Sequence, residues 1–374
     1  MDINFLIYKV LNTVNSFRLK GNIMKKFFIL VLLLASSSFV NQAVLAQQIY
    51  DKYGDKFPGP LNSKDAKVMP LISVKGNRFV NSKGDTILFR GLSISDPDNL
   101  AKQGHWNKEL FERIEKLGTM LVRFPVHPAA WRERTPDKYL KLLDQAVEWC
   151  TQLGMYMIID WHSIGNLKEG LFQDPAYITS QDETFQFWRT IATHFAGNNT
   201  VAFYELYNEP TLDYGRLGSC SWSDWKKLNE DLIHLIRAYD KGKIPLVAGF
   251  DYAYDLTPLN QEPVNAEGIG YVVHPYPHKR TPPYIPKWEE DFGFAAGNYP
   301  VIATELGFTL GDGSIKDNGD YGKTIIKYLE GKGISWVWWV FDPVWEPPMF
   351  ESWKNYKLTD SGKFYKEAVR DSTK

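Results

Sequence analysis

Residues 155–162 read Met155-Tyr156-Met157-Ile158-Ile159-Asp160-Trp161-His162. The run is apolar without alternation and stops at a carboxylate and an imidazole. A strand covered on both faces reads this way, as in a parallel sheet with helices packed on its outside. The same pattern recurs on either side, at 87–94 and 120–126 before it and at 201–206, 245–249, 270–273, 301–304 and 334–341 after it. That makes eight strands. Helical periodicity lies between most of them, at 108–117, 137–153, 181–195, 222–239, 319–329 and 362–370. The segment between the fifth and sixth strands carries no clear helical pattern. Eight strands alternating with helices predict a (β/α)8 TIM barrel of the α/β class. Ahead of it, 71–74 and 78–80 flank Gly76-Asn77 and predict a β-hairpin.

The 374 residues contain 43 Lys plus Arg and 44 Asp plus Glu, a formal net charge of −1. No basic excess is available to hold phosphates, so nucleic acid is not an expected partner. Aromatic residues make up 15% of the chain, with 13 Trp, 20 Tyr and 22 Phe. Cores use such residues, and so do sites that stack on the flat faces of sugar rings. Two cysteines are too few for a disulfide-built scaffold or a four-cysteine zinc site.

Met24-Lys25-Lys26 precedes the apolar run 27–35, and small residues end at Val44-Leu45-Ala46. This is the layout of a secretory signal peptide, with cleavage expected after Ala46. The run is shorter than the ~20 residues that span a bilayer, so no stable membrane anchor is expected. Met24 is read as the start, and 1–46 as an upstream extension plus signal peptide. Residues 47–69 read as a polar arm and 70–374 as the barrel domain. A secreted or periplasmic monomer is expected. Export permits a Cys150–Cys220 disulfide, but Cys150 sits beside Trp149 in a helical pattern and reads as a buried free thiol.

Active groups of such barrels lie at the C-terminal ends of the strands. Strand two ends in Arg123-Phe124-Pro125-Val126-His127, and strand three in Asp160-Trp161-His162. Strand four ends in Glu205-Leu206-Tyr207-Asn208-Glu209-Pro210, and strand six in His274-Pro275-Tyr276. Strand seven ends in Glu305, and strand eight contains Trp338-Trp339. A strand that buries Val and Ile has no structural need to finish in Glu. Glu209 and Glu305 lie on opposite sides of the barrel, and two carboxylates facing across a cleft are the minimal set for glycoside hydrolysis. Arg123 beside one of them is expected to lower its pKa. Strand alternation places Glu205, Tyr207 and Glu209 on one face.

Asn208-Glu209-Pro210, the distant Glu305, Arg123, His162 and His274-x-Tyr276 together resemble glycoside hydrolase family 5, over roughly residues 70–370. The resemblance implies that Glu209 is the general acid/base and Glu305 the nucleophile of a retaining glycosidase. It implies that Asn208 binds the sugar 2-hydroxyl at the −1 subsite. Arg123 and Tyr276 would hold Glu305, His162 would touch the −1 sugar, and His274 would lie near Glu209. Trp339 would floor that subsite, with Trp338 as the competing choice; alternation favours Trp339. Trp345, on the loop beyond strand eight, is the candidate sugar platform. No metal or organic cofactor is implied.

The expected activity is an endo-β-glycanase on β-1,4-glucan, acting on a β-linked polysaccharide or oligosaccharide. Mannan, xyloglucan and β-1,3-glucan are the alternative substrates. A metal-dependent hydrolase using His127, His162, His274 and Glu305 is a second class. A non-catalytic glycan-binding protein is a third.

Overall fold

In the computed structural model the described residues are 68–211, 216–310, 315–317 and 321–371. The expected signal peptide and nearly all of the expected arm lie outside them. Eight parallel strands close a barrel: β1 (Arg90–Ile94), β2 (Leu121–Val126), β3 (Tyr156–Trp161), β4 (Val201–Glu205), β5 (Ile244–Ala248), β6 (Gly270–Val273), β7 (Val301–Leu306) and β8 (Ser335–Phe341). Each strand pairs with its sequence neighbours, and β8 pairs with β1. The (β/α)8 expectation holds, with strand boundaries shifted by at most three residues. The largest shift is in β1, because Ile87 bonds the hairpin instead, donating its N–H to Phe79 O.

Helices α1 (Lys108–Glu115), α2 (Pro136–Leu153), α3 (Gln181–His194), α4 (Trp222–Tyr239), α5 (Tyr284–Asp291), α6 (Tyr321–Lys332) and α7 (Asp360–Asp371) cover the strands. Between β5 and β6 there are only two short turns, 250–253 and 257–260, in line with the weak pattern there. Helix α5 was not legible, because Pro283 and Pro286 break up its short apolar stripe.

The hairpin Ser73–Lys75 and Arg78–Val80 turns at Gly76, whose φ of 59° suits a residue without Cβ. It plugs the N-terminal end of the barrel. Phe79 packs edge-on to Phe203 at 5.1 Å, and Phe89 packs edge-on to Phe203 at 5.5 Å. Ile158, Leu246, Val272, Ile302 and Val337 continue that core up the barrel axis. With apolar residues filling the lower barrel, the polar strand ends are left to the upper rim. Cys150 is buried and free, as expected, and Cys220 is also free.

Candidate active site

Arg123, fully buried in the middle of β2, organises the rim. Its Nε donates to Glu205 Oε2 at 2.7 Å and its Nη2 to Glu205 Oε1 at 3.0 Å. Nη1 donates to Glu305 Oε1 at 2.7 Å, and Nη2 to Asn208 Oδ1 at 2.7 Å. Asp160 Oδ2 lies 2.9 Å from the same guanidinium. Burial opposes the charge on Arg123, but the three carboxylates outweigh it and hold the guanidinium firmly protonated. With Oδ1 occupied, the buried Asn208 Nδ2 has no partner among the described residues.

Strand β4 ends at Glu205, and the chain then leaves the barrel wall. Asn208 N–H donates to Trp161 O and Glu209 N–H to Ser163 O. The β3 loop strand Ile164–Asn166 pairs with Glu209–Pro210. The expected common face of Glu205, Tyr207 and Glu209 is therefore wrong. Tyr207 turns outward to pack on Trp225 of α4 at 5.3 Å, while Asn208 turns inward to Arg123.

Glu209 Oε1 lies 2.9 Å from His274 Nδ1, and His274 Nε2 lies 3.0 Å from Thr304 Oγ1. The Thr304 hydroxyl donates its proton to Glu205 Oε1 at 2.9 Å. It can therefore only accept from His274, which fixes a proton on Nε2. Burial works against charging His274, but Glu305, Glu205 and Glu209 overcome it and push its pKa up to about 9. The imidazolium then donates on both sides. Burial pulls the Glu205 carboxyl upward, and Arg123 and His274 hold it below its ordinary range.

Glu305 is buried and accepts from Arg123 on one oxygen and from Tyr276 OH at 2.9 Å on the other. Arg123 and His274 pull its pKa down as expected, but burial outweighs them, aided by Glu209 and Glu205. The net direction is upward, against the expectation from Arg123 alone. Burial, Glu305 and Glu209 push the Tyr276 phenol well up, so it stays a donor. One oxygen of Glu209, one of Glu305 and a nitrogen of His274 all lie within 4.8 Å of one another.

His162 Nδ1 lies 2.7 Å from Asp160 Oδ2. Burial holds this imidazole well below the ordinary histidine range, so it is neutral. Asp160 thus serves both Arg123 and His162. Trp339 lies parallel to His162 with centroids 5.6 Å apart, and its Nε1 donates to Glu346 O. Trp338 points the other way, buried against Phe308 and Phe364. The structure thus brings together Glu209, Glu305, Arg123, Asn208, His274, Tyr276, His162 and Trp339. Trp345 stands apart on its loop, 42% exposed, with its backbone N–H on Asp342 Oδ1.

The metal-hydrolase reading needed His127, His162, His274 and Glu305 to converge. Among the described residues they do not: the ligand atoms that lie within 4.8 Å of one another come from Glu209, His274 and Glu305, without His127 or His162. Sequence reading missed Thr304, Asp96 and Tyr177. Thr304 adjoins Glu305 and could have been flagged from its strand-end position. Tyr177 lies in a patternless loop.

Residues 80–344 match the family model for cellulase, glycosyl hydrolase family 5. The chain is 44% identical to the β-glucanase SdGluc5_26A of Saccharophagus degradans, whose structure was solved in complex with cellotetraose. The likeness covers 87% of this chain and 100% of that one, with a TM-score of 0.83. It is 25% identical over 296 residues to endoglucanase A of Butyrivibrio fibrisolvens, covering 75% of this chain and 62% of the relative. It is also 25% identical over 254 residues to endoglucanase E-5 of Thermobifida fusca, covering 64% of this chain and 50% of the relative. The chain thus spans between half and two thirds of the length of these curated relatives.

Proposed function

The chain belongs to glycosyl hydrolase family 5, and we propose that it is a retaining endo-β-glucanase acting on β-1,4-linked glucan. The observation that carries the mechanism is the spacing of the two carboxyl groups. An oxygen of Glu209 and one of Glu305 lie within 4.8 Å. Retaining enzymes hold their carboxyls ~5–5.5 Å apart, whereas inverting ones need ~6.5–9.5 Å to fit a water.

In the first step Glu209 gives its proton to the leaving glycosidic oxygen as Glu305 attacks the anomeric carbon, forming a glycosyl ester. The Arg123 and Tyr276 donors hold Glu305 in line. In the second step Glu209 takes a proton from water, the water oxygen bonds the anomeric carbon, and Glu305 leaves as carboxylate. Two inversions retain the anomeric configuration. The free Nδ2 of Asn208 is the donor for the sugar 2-hydroxyl, His162 and Trp339 line the −1 subsite, and Trp345 is a platform further along the cleft.

The substrate rests on the 44% identical β-glucanase matched over its full length and on the endoglucanase relatives. Export and a monomeric state belong to the proposal, with export resting on the pattern at 24–46. Among the described residues no helix is long and apolar enough to cross a membrane.

The test is product release from carboxymethyl cellulose, barley β-glucan, xyloglucan, galactomannan and laminarin, with the first-formed anomer followed by proton NMR. β-Anomer from the glucans, lost in Glu305→Gln, is expected. α-Anomer would overturn retention, and release from mannan alone would overturn the substrate. Tight glycan binding without any product would favour the binding-protein reading.

A further inference from the structure

We propose that His127 is a further substrate-binding residue, a fixed hydrogen-bond acceptor that works beside His162 on one sugar of the glycan. The inference rests on the reading of the site as a glycanase cleft. His127 follows β2 and begins the short helix Pro128–Arg134. Its residue is 9% exposed.

The orientation of the ring is set by Asp96. Asp96 Oδ2 accepts the His127 backbone N–H at 2.8 Å and lies 2.9 Å from His127 Nδ1. Asp96 Oδ1 accepts the Tyr139 hydroxyl at 2.7 Å and the Asp98 N–H at 2.7 Å. A carboxyl group already ringed by three donors accepts from the fourth neighbour too. These bonds select the tautomer with the proton on Nδ1, which leaves Nε2 as the acceptor nitrogen.

His162 repeats the arrangement. Its Nδ1 faces Asp160, the ring is neutral, and its Nε2 is again an acceptor. The two imidazoles are neighbours, with centroids 4.6 Å apart. Neither Nε2 takes a hydrogen bond from the described residues. Tyr177 stacks on His127 at 5.6 Å, and Trp339 lies parallel to His162 at 5.6 Å. Tyr177 also lies 6.0 Å from His162, its carbonyl accepts from Ser163 Oγ at 2.7 Å, and the Ser163 carbonyl accepts the Glu209 N–H, which ties this wall to the Glu209 segment.

A histidine that only packs can take either tautomer. Here two buried carboxyls orient two adjacent rings so that both present an acceptor. A pyranose presents hydroxyls on neighbouring carbons, and each can donate one proton. The paired Nε2 atoms fit such a donor pair, which neither the catalytic carboxyls nor Asn208 supplies.

The test compares kcat/KM on barley β-glucan for wild type, His127→Phe and His127→Gln, with thermal melts of each. Phe keeps the ring against Tyr177 but removes the acceptor, and about a tenfold loss is expected, the worth of one neutral hydrogen bond. Gln returns an acceptor near the Nε2 position and is expected to recover part of it. Equal kcat/KM in wild type and a folded Phe variant would overturn the proposal.

A second measurement needs no Phe variant. Wild type and His127→Ala are run on aryl cellotriosides that each lack one hydroxyl of the −1 sugar. One deoxy position is expected to cost wild type about tenfold and the variant markedly less. Identical deoxy penalties in the two proteins would overturn the proposal. Wild type that neither cleaves nor binds any glycan would overturn the glycanase reading and this inference together, whereas an active wild type with indifferent variants overturns this inference alone.

Discussion

Arg123 and Glu205 are joined by two parallel hydrogen bonds, at 2.7 and 3.0 Å, with both side chains fully buried. Neither residue needs to touch sugar for this pair to matter, because the same guanidinium reaches Glu305 and Asn208. Removing one member strands the other charge in a dry site, at about 3–5 kcal/mol. Arg123→Met is expected to cost that much stability and nearly all activity. Arg123→Met combined with Glu205→Gln is expected to be more stable than the sum of the single losses, because Glu205 is then no longer a buried charge without its guanidinium. Denaturant melts of the three variants read the coupling, and strict additivity would contradict it.

Adjacent tryptophans separate structure from function. Trp338 is fully buried between Phe308 and Phe364 and donates its Nε1–H to Ser361 Oγ. Trp338→Ala is expected to cost about 3–5 kcal/mol of stability. Trp339 is half-buried beside His162. Trp339→Ala is expected to lower kcat/KM about tenfold or more, the scale of a lost aromatic contact, while moving Tm little. Melting curves and kinetics on both variants check the contrast. The reverse pattern would assign the subsite to Trp338.

The eight strands were legible because a strand covered on both faces has to be apolar throughout, as 156–159 and 270–273 are. The glutamates were legible because burying Val and Ile gives no reason for a terminal Glu. Alternation failed beyond Glu205 for a tertiary reason. Residues 208–211 bond to 161–165 rather than continuing along β5, so the side-chain period of two no longer applies. Partners such as Asp96 and Thr304 were hidden because they come from separate strand ends and share no local spacing with the histidines they orient. The direction of the Glu305 shift was also beyond the sequence, since it depends on how deeply the group is buried.

His274 links stability to pH. Its folded-state pKa, pushed up to about 9, lies above the ordinary value of 6.5. The protonated ring therefore stabilises the native state fully below about pH 6.5, and that contribution is lost as the pH rises through about 9. Deprotonation also removes one of two donors facing Glu209 and Thr304. Wild-type Tm is expected to fall by several degrees between pH 6.5 and 9.5. In His274→Gln, which has no proton to lose, the fall should be distinctly shallower. Equal slopes in the two proteins would show that His274 is neutral in the fold.

The position of Glu209 depends on a glycine outside the barrel. Gly165 sits at a φ of 153° on the loop strand Ile164–Asn166, paired with Phe172 on one side and Pro210 on the other. Its carbonyl also accepts the Thr211 N–H at 3.2 Å. A Cβ added there would lie 2.4 Å from Leu171 O and 2.8 Å from Phe172 Cα, both backbone atoms. Gly165→Ala must therefore push 164–166 away from 171–172. The strand it carries along is the one that bonds Glu209. A misplacement of about 1 Å at a reacting group costs on the order of a hundredfold in rate. Gly165→Ala is expected to lower kcat by that order while KM changes little, because His127 and Trp339 come from other segments. Steady-state kinetics on barley β-glucan reads the split. A kcat near wild type in a folded variant would mean that the β3 loop does not position the acid, and a rise confined to KM would place Gly165 in glycan binding instead.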